Sequence, residues 1–166
     1  MTALVEPPYA ADERTTLVAF VDYFRAVLIR KAEGLTDEQA RITVGASELT
    51  ILGLVRHMVV VERAWFQETF AGRDVEFEWL TDEDPDGDFH PGPDDTLADA
   101  LAAYRAEIAA TDAVIAVAEL DLVVARPDHG RAVTMRWILV HMVEELARHC
   151  GHADLIREAV DGTVGD

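Results

Sequence analysis

The run from Thr134 to His152 carries apolar residues at intervals of three and four, a spacing that only an amphipathic helix laid against a core turns to one side. At about 100° per residue, with His141 set to zero, Glu145 falls at about 40°, His149 at about 80°, His152 at about 20° and Arg148 at about −20°. Three histidines, a carboxylate and a guanidinium therefore share one narrow stripe. Met142, Val143 and Leu146 lie round its flank, so the stripe borders apolar surface and is not simply the solvated face. Cys150 falls at about 180°, away from the stripe, and reads as a small packed residue rather than a ligand or nucleophile.

The rest of the chain repeats the helical pattern. Residues 1–11 contain Pro7 and Pro8 and read as an irregular arm. From Asp12, a good N-cap, Leu17, Phe20, Val21, Phe24, Val27 and Leu28 predict a first helix that Gly34 ends. Residues 34–49 form a connection with room for a short helical turn. Ser47 or Thr50 then caps a second helix running through Ile51, Leu54, Met58, Trp65 and Phe66 to Gly72. It carries His57, which shares the side of Leu54, Val61 and Trp65 and so points inward. Thr96 starts a third helix with Leu97, Leu101, Tyr104, Ile108 and Ile115 on one stripe. After a connection over 119–133 with Pro127, Asp128 and Gly130, the last helix runs from Met135 to about Ala159. Four helices of roughly 20 residues, with no alternating strand pattern, predict an all-α bundle in a single domain over residues 1–166.

Between the second and third helices lies an acidic loop, 73–95, with Asp82, Glu83, Asp84, Asp86 and Asp88 and the aromatics Phe77, Trp79 and Phe89. Its alternating carboxylates resemble a calcium loop only superficially, because Pro85 interrupts the spacing and no closing glutamate follows. It reads as a solvated loop, long and aromatic enough to serve as a lid. Trp65 and Trp137 read as core residues. His90 and His129 fall in loops without evident partners, and Glu68 reads as an exposed carboxylate near a helix end.

Composition closes several routes. A formal net charge of −18 repels phosphate backbones and anionic lipid, which argues against nucleic-acid and membrane-surface binding. One cysteine excludes an internal disulfide and a CxxC motif, as suits a reducing compartment. With no leader pattern before Tyr9 and no membrane-length apolar run, a cytoplasmic protein is expected. There is no Gly-rich phosphate loop ahead of a helix, no G-x-S-x-G and no HExxH.

What remains is metal chemistry. Imidazole and carboxylate suit zinc and its neighbours, and a catalytic zinc takes three protein ligands while leaving a position open. His141 and His149 stand about 12 Å apart along the helix axis, too far to serve together, so another helix must contribute. His57 is the histidine placed to do so. Spacing alone leaves two sets open: His57 with Glu145 and His149, or His57 with His141 and Glu145.

The runs Leu52 to Met58, Glu62 to Phe66 and Trp137 to Asp154 resemble the DinB-like superfamily, and within it an actinobacterial subgroup of uncharacterised domains related to the mycothiol-dependent maleylpyruvate isomerases. The resemblance implies a four-helix up-down-down-up bundle with a divalent metal, zinc or nickel, held by His57, Glu145 and His149. Many relatives have histidine at the position of Glu145, whereas the isomerases have glutamate. It further implies a metal-activated low-molecular-weight thiol, mycothiol in type, as cosubstrate of a transferase or isomerase acting on an electrophilic small molecule. His141, Arg148 and His152 would support the ligands or bind substrate, and no catalytic residue is assigned. The extra C-terminal domain of the isomerases has no counterpart here, which points away from their particular substrate. The competing expectation is a non-enzymatic bundle, either metal-binding in stress response or a homodimeric interaction module.

Overall fold

The computed structural model describes residues 3–124 and 130–165. Pro127, Asp128 and His129 lie outside the described residues. The helices are α1 (Glu13–Ala32), the single turn α2 (Asp37–Ala40), α3 (Ile51–Glu62), α4 (Leu97–Val117) and α5 (Met135–Asp161). Among the described residues no strand forms, and Val123 and Thr134 make an isolated antiparallel bridge. The expected all-α architecture is observed.

Polar caps set the helix starts. The side chains of Asp12, Thr50, Thr96 and Thr134 each accept from a backbone N–H in the first turn, and Thr36 with Gln39 closes a reciprocal capping box on α2. Past α1, Gly34 takes a left-handed φ of 83° and turns the chain. Val21, Leu28, Leu54, Met58, Phe66, Tyr104, Ile138, Met142 and Leu146 meet in one core. Each large apolar side chain fully withdrawn from water there contributes about 1.5–3 kcal/mol, which outweighs the weak propensity of any one helix.

Contacts between helices fix their directions. Glu13 pairs with Arg136, and Lys31 with Asp154, so α1 and α5 run parallel. Arg56 reaches Asp95 and Arg63 reaches Glu107, so α3 and α4 also run parallel. His57 meets His149 while Trp65 meets Trp137, which makes α3 and α5 antiparallel. The order is up-down-down-up.

That topology explains the long acidic loop. Two consecutive parallel helices need a connection that travels back along the bundle, and 73–95 makes the return. The solvated reading is corrected in its second half, where Gly87 and Asp88 are buried. Arg56 holds them by donating to the carbonyl of Gly87 and to Asp95, both at 2.8 Å, while its guanidinium lies 4.7 Å from the centre of the Trp79 ring. The close fit depends on glycine at two places. A Cβ on Gly53 of α3 would stand 3.0 Å from the carbonyl oxygen of Phe89, and one on Gly87 would stand 2.1 Å from that of Trp79.

A second difference lies in the predicted second helix. It keeps α geometry only to Glu62 and continues as a π-helical segment, Arg63–Phe70. Glu62, fully buried where the geometry changes, accepts two bonds from Arg25 at 2.7 and 2.6 Å. Buried ion pairs of this kind hold register at a desolvation cost.

Candidate metal centre

The α-helical part of α3 aims His57 at α5, and the i,i+4 spacing on α5 stacks Glu145 under His149. The result is one group in which a donor atom from each of His57, Glu145 and His149 lies within 4.8 Å of the other two. His149 Nε2 and Glu145 Oε2 are 3.4 Å apart. Two donors on a tetrahedral zinc, each about 2.05 Å from it, stand about 3.3 Å apart, so this pair already has the spacing of neighbouring ligands. Of the two sets left open by spacing, the structure brings together the first.

Each of the three is held by a neighbour. Asp88 Oδ2 lies 2.8 Å from His57 Nδ1 and is buried, which directs the other ring nitrogen, Nε2, away from the loop. Phe89 stacks on the same imidazole with ring centres 4.3 Å apart and planes 25° apart. Arg148 donates to Glu145 at 2.9 Å and also grips Glu144. His152 Nδ1 faces His149 Nδ1 at 3.4 Å. Burial pushes the His149 imidazole down to about 4, helped by the proximity of His57 and opposed by Glu145. His149 is therefore neutral at physiological pH and its nitrogens are free of an added proton.

His141 lies apart from this group. Its ring stacks on Trp137 at 5.0 Å and 20°, meets Trp65 edge-on at 5.0 Å, and its Nδ1 is 3.4 Å from Glu144. Trp65 packs against the core, as expected, but Trp137 does not and is 46% exposed. It stands on the same i,i+4 row as His141 and Glu145, which rotates it to the rim. His90, which lacked a sequence partner, sits 2.9 Å from Asp84, and the bond and charge of that carboxylate raise its pKa. With Asp84 on His90 and Asp88 on His57, the loop's carboxylates do not converge as a calcium site would require. Cys150 is buried, its thiol donates to the Phe24 carbonyl at 3.4 Å, and burial pushes it up to about 12, which removes it as a nucleophile.

Asp88 and Phe89 are the site residues that sequence reasoning missed. One signal was present: an aromatic directly after an acidic run that returns along a bundle marks a segment with something to bury.

Residues 16–162 match the family described as mycothiol-S-transferase. The chain belongs to that family. It is thus a member of the DinB-like superfamily and, at the level of the family, a mycothiol-related transferase, as the resemblance implied. No individually curated protein matches it in sequence. Among solved structures it is similar to a conserved protein from Enterococcus faecalis, with a TM-score of 0.63 and 16% identity over 93% of this chain and 100% of that one. At that identity the likeness establishes the fold alone. No described helix of this family member is long and apolar enough to cross a membrane.

Proposed function

We propose that this chain is a divalent-metal-dependent S-transferase that joins a mycothiol-type thiol to an electrophilic small molecule. His57, Glu145 and His149 would hold the ion, with zinc favoured by two imidazoles and a carboxylate and nickel the alternative. The observation that carries the reading is the convergence of those donor atoms within 4.8 Å of one another from two antiparallel helices. A bound divalent ion supplies Lewis acidity, which lets a coordinating thiol lose its proton near neutral pH.

The chain's own groups have distinct tasks. Asp88 fixes the tautomer of His57 and presents Nε2 to the site. Phe89 covers the imidazole and keeps water off that side. Arg148 holds Glu145 in position and, exposed beside it, can receive an anionic substrate group, while His152 orients His149. His141 supports the site through the helix they share, since its contacts are Glu144, Trp65 and Trp137. In the transfer itself the thiol sulfur gives an electron pair to the electrophilic carbon, the new C–S bond forms, and the leaving group departs with the pair from the broken bond. The thiol proton passes to solvent.

The test supplies mycothiol and monochlorobimane to untagged protein loaded with zinc or nickel. Conjugation well above the uncatalysed rate, lost in His149→Ala, is expected. Metal-replete protein that leaves the thiol unconsumed would instead mark a metal-binding module without this activity.

A further inference from the structure

Asp88 and Phe89, the loop residues that contact His57, sit between two arginines of other elements. Arg56 of α3 donates to the carbonyl of Gly87, the residue just before them, at 2.8 Å. Arg41, which follows the single turn α2, donates to the carbonyls of Pro91 at 3.2 Å and Gly92 at 2.8 Å, just after them. The two arginines also share Asp95, Arg56 through its carboxylate at 2.8 Å and Arg41 through its carbonyl. The stretch 87–92 is thus fixed at each end by a guanidinium, and Gly53 of α3 backs it at the Phe89 carbonyl.

The arrangement is costly. Arg56 is 3% exposed, and its Nε is buried without a hydrogen-bond partner. Burial pushes the guanidinium pKa down, opposed by the charges of Asp95 and Asp88. Anchoring a surface loop does not require a cation withdrawn from water. A planar fork that bonds two acceptors at once, however, fixes orientation as well as distance, which a lysine does not. Both arginines capture backbone carbonyls and leave the side chains between them to face α3. There the Asp88 carboxylate meets His57 Nδ1 at 2.8 Å, and the Phe89 ring stacks on the imidazole at 4.3 Å.

We propose that Arg56 and Arg41 are positioning residues for the metal centre, acting on the donors by holding Asp88 and Phe89 on His57. Their effect on zinc rests on the metal reading, whereas their placement of His57 stands without it.

In metal-free, untagged protein above neutral pH, the ring nitrogen shifts of His57 in NMR report its tautomer. A single Nδ1–H form is expected in the wild type and a mixture of both forms in Arg56→Met. Titration of zinc against a competing chelator should show affinity lowered about tenfold in Arg56→Met and severalfold in Arg41→Met. Because the effect passes through Asp88 and Phe89, adding Arg56→Met to a chain that already carries Asp88→Ala and Phe89→Ala should change affinity by less than about twofold. Circular dichroism checks the fold of each variant; should Arg56→Met not fold, Arg41→Met carries the same comparisons. A mixed tautomer in the wild type overturns the proposal, as does an unaltered tautomer or unaltered zinc affinity in both arginine variants. An undiminished tenfold loss on top of the Asp88 and Phe89 substitutions also overturns it and marks a general loosening of α3. Should the wild type bind no zinc while Arg56→Met still mixes the His57 tautomers, the positioning role stands and the metal reading fails.

Discussion

Asp88 decides which nitrogen of His57 is available, and its burial makes the bond with Nδ1 strong enough to hold one tautomer. Removing such an outer partner of a ligating histidine typically costs about 10- to 100-fold in metal affinity. Asp88→Ala should therefore weaken zinc binding by about that factor in a competitive chelator titration, with a smaller loss in Asp88→Asn, which still accepts the bond; wild-type affinity in Asp88→Ala would show that the carboxylate has no hold on the site. His149 gives a pH prediction. Its folded pKa, about 4, lies below its ordinary value of 6.5, so on acidification the unfolded chain takes up a proton before the folded one does. The metal-free fold should lose stability as pH falls from 6.5 towards 4, and thermal melts of His149→Gln across that window should show a shallower decline. Helical period made His57, Glu145 and one of His141 or His149 legible as candidate donors, because it fixes where a side chain points, and the choice of His149 came only from the family resemblance. Asp88 was not legible: within Asp84, Asp86 and Asp88, local chemistry is uniform, and only the path of the returning chain decides which carboxylate is buried.

Among the elements, the α-to-π transition and the return loop together shape the site. Caps and apolar period made the helices readable, including the short turn expected between Gly34 and Ser47 and found as α2. They could not reveal the π-helical segment, since its start is tied to partners on other elements, Arg25 of α1 on Glu62 and Glu107 of α4 on Arg63. Trp137 was misplaced for a related reason: hydrophobicity marks a residue that gains from burial, not one that the helix rotates to the rim. Removing Arg25 leaves the fully buried Glu62 without its cation, at a cost of about 3–5 kcal/mol. Arg25→Met should lower unfolding free energy by that order in urea, whereas Arg25→Met with Glu62→Leu should recover most of it. In the loop, Gly87→Ala forces a Cβ against the Trp79 carbonyl and should lift Asp88 and Phe89 from His57. Faster proteolysis within 73–95 and weakened zinc binding, with the circular dichroism of the bundle retained, are the expected readouts.

At the scale of the whole molecule, a bundle with two parallel helix pairs obliges a long crossover to pass the end of the groove where α3 faces α5. The fold thereby supplies a cover as well as a donor set. Within a chain of charge −18, Arg148 on α5 pairs with Glu144 and Glu145 beside the donor group, and Arg56 on α3 ties the return loop to the bundle. Membership in the mycothiol-S-transferase family supports a thiol cosubstrate, and under the proposed function the donor group would be where a metal activates it. The central claim is that His57, Glu145 and His149 form one metal site. It is tested most directly by titrating zinc into metal-free, untagged protein and into His57→Ala, Glu145→Ala and His149→Ala by calorimetry, with folding checked for each. The account predicts one tight site per chain in the wild type and its loss in all three variants; no binding by the wild-type chain, or a site that survives the three substitutions, would contradict it.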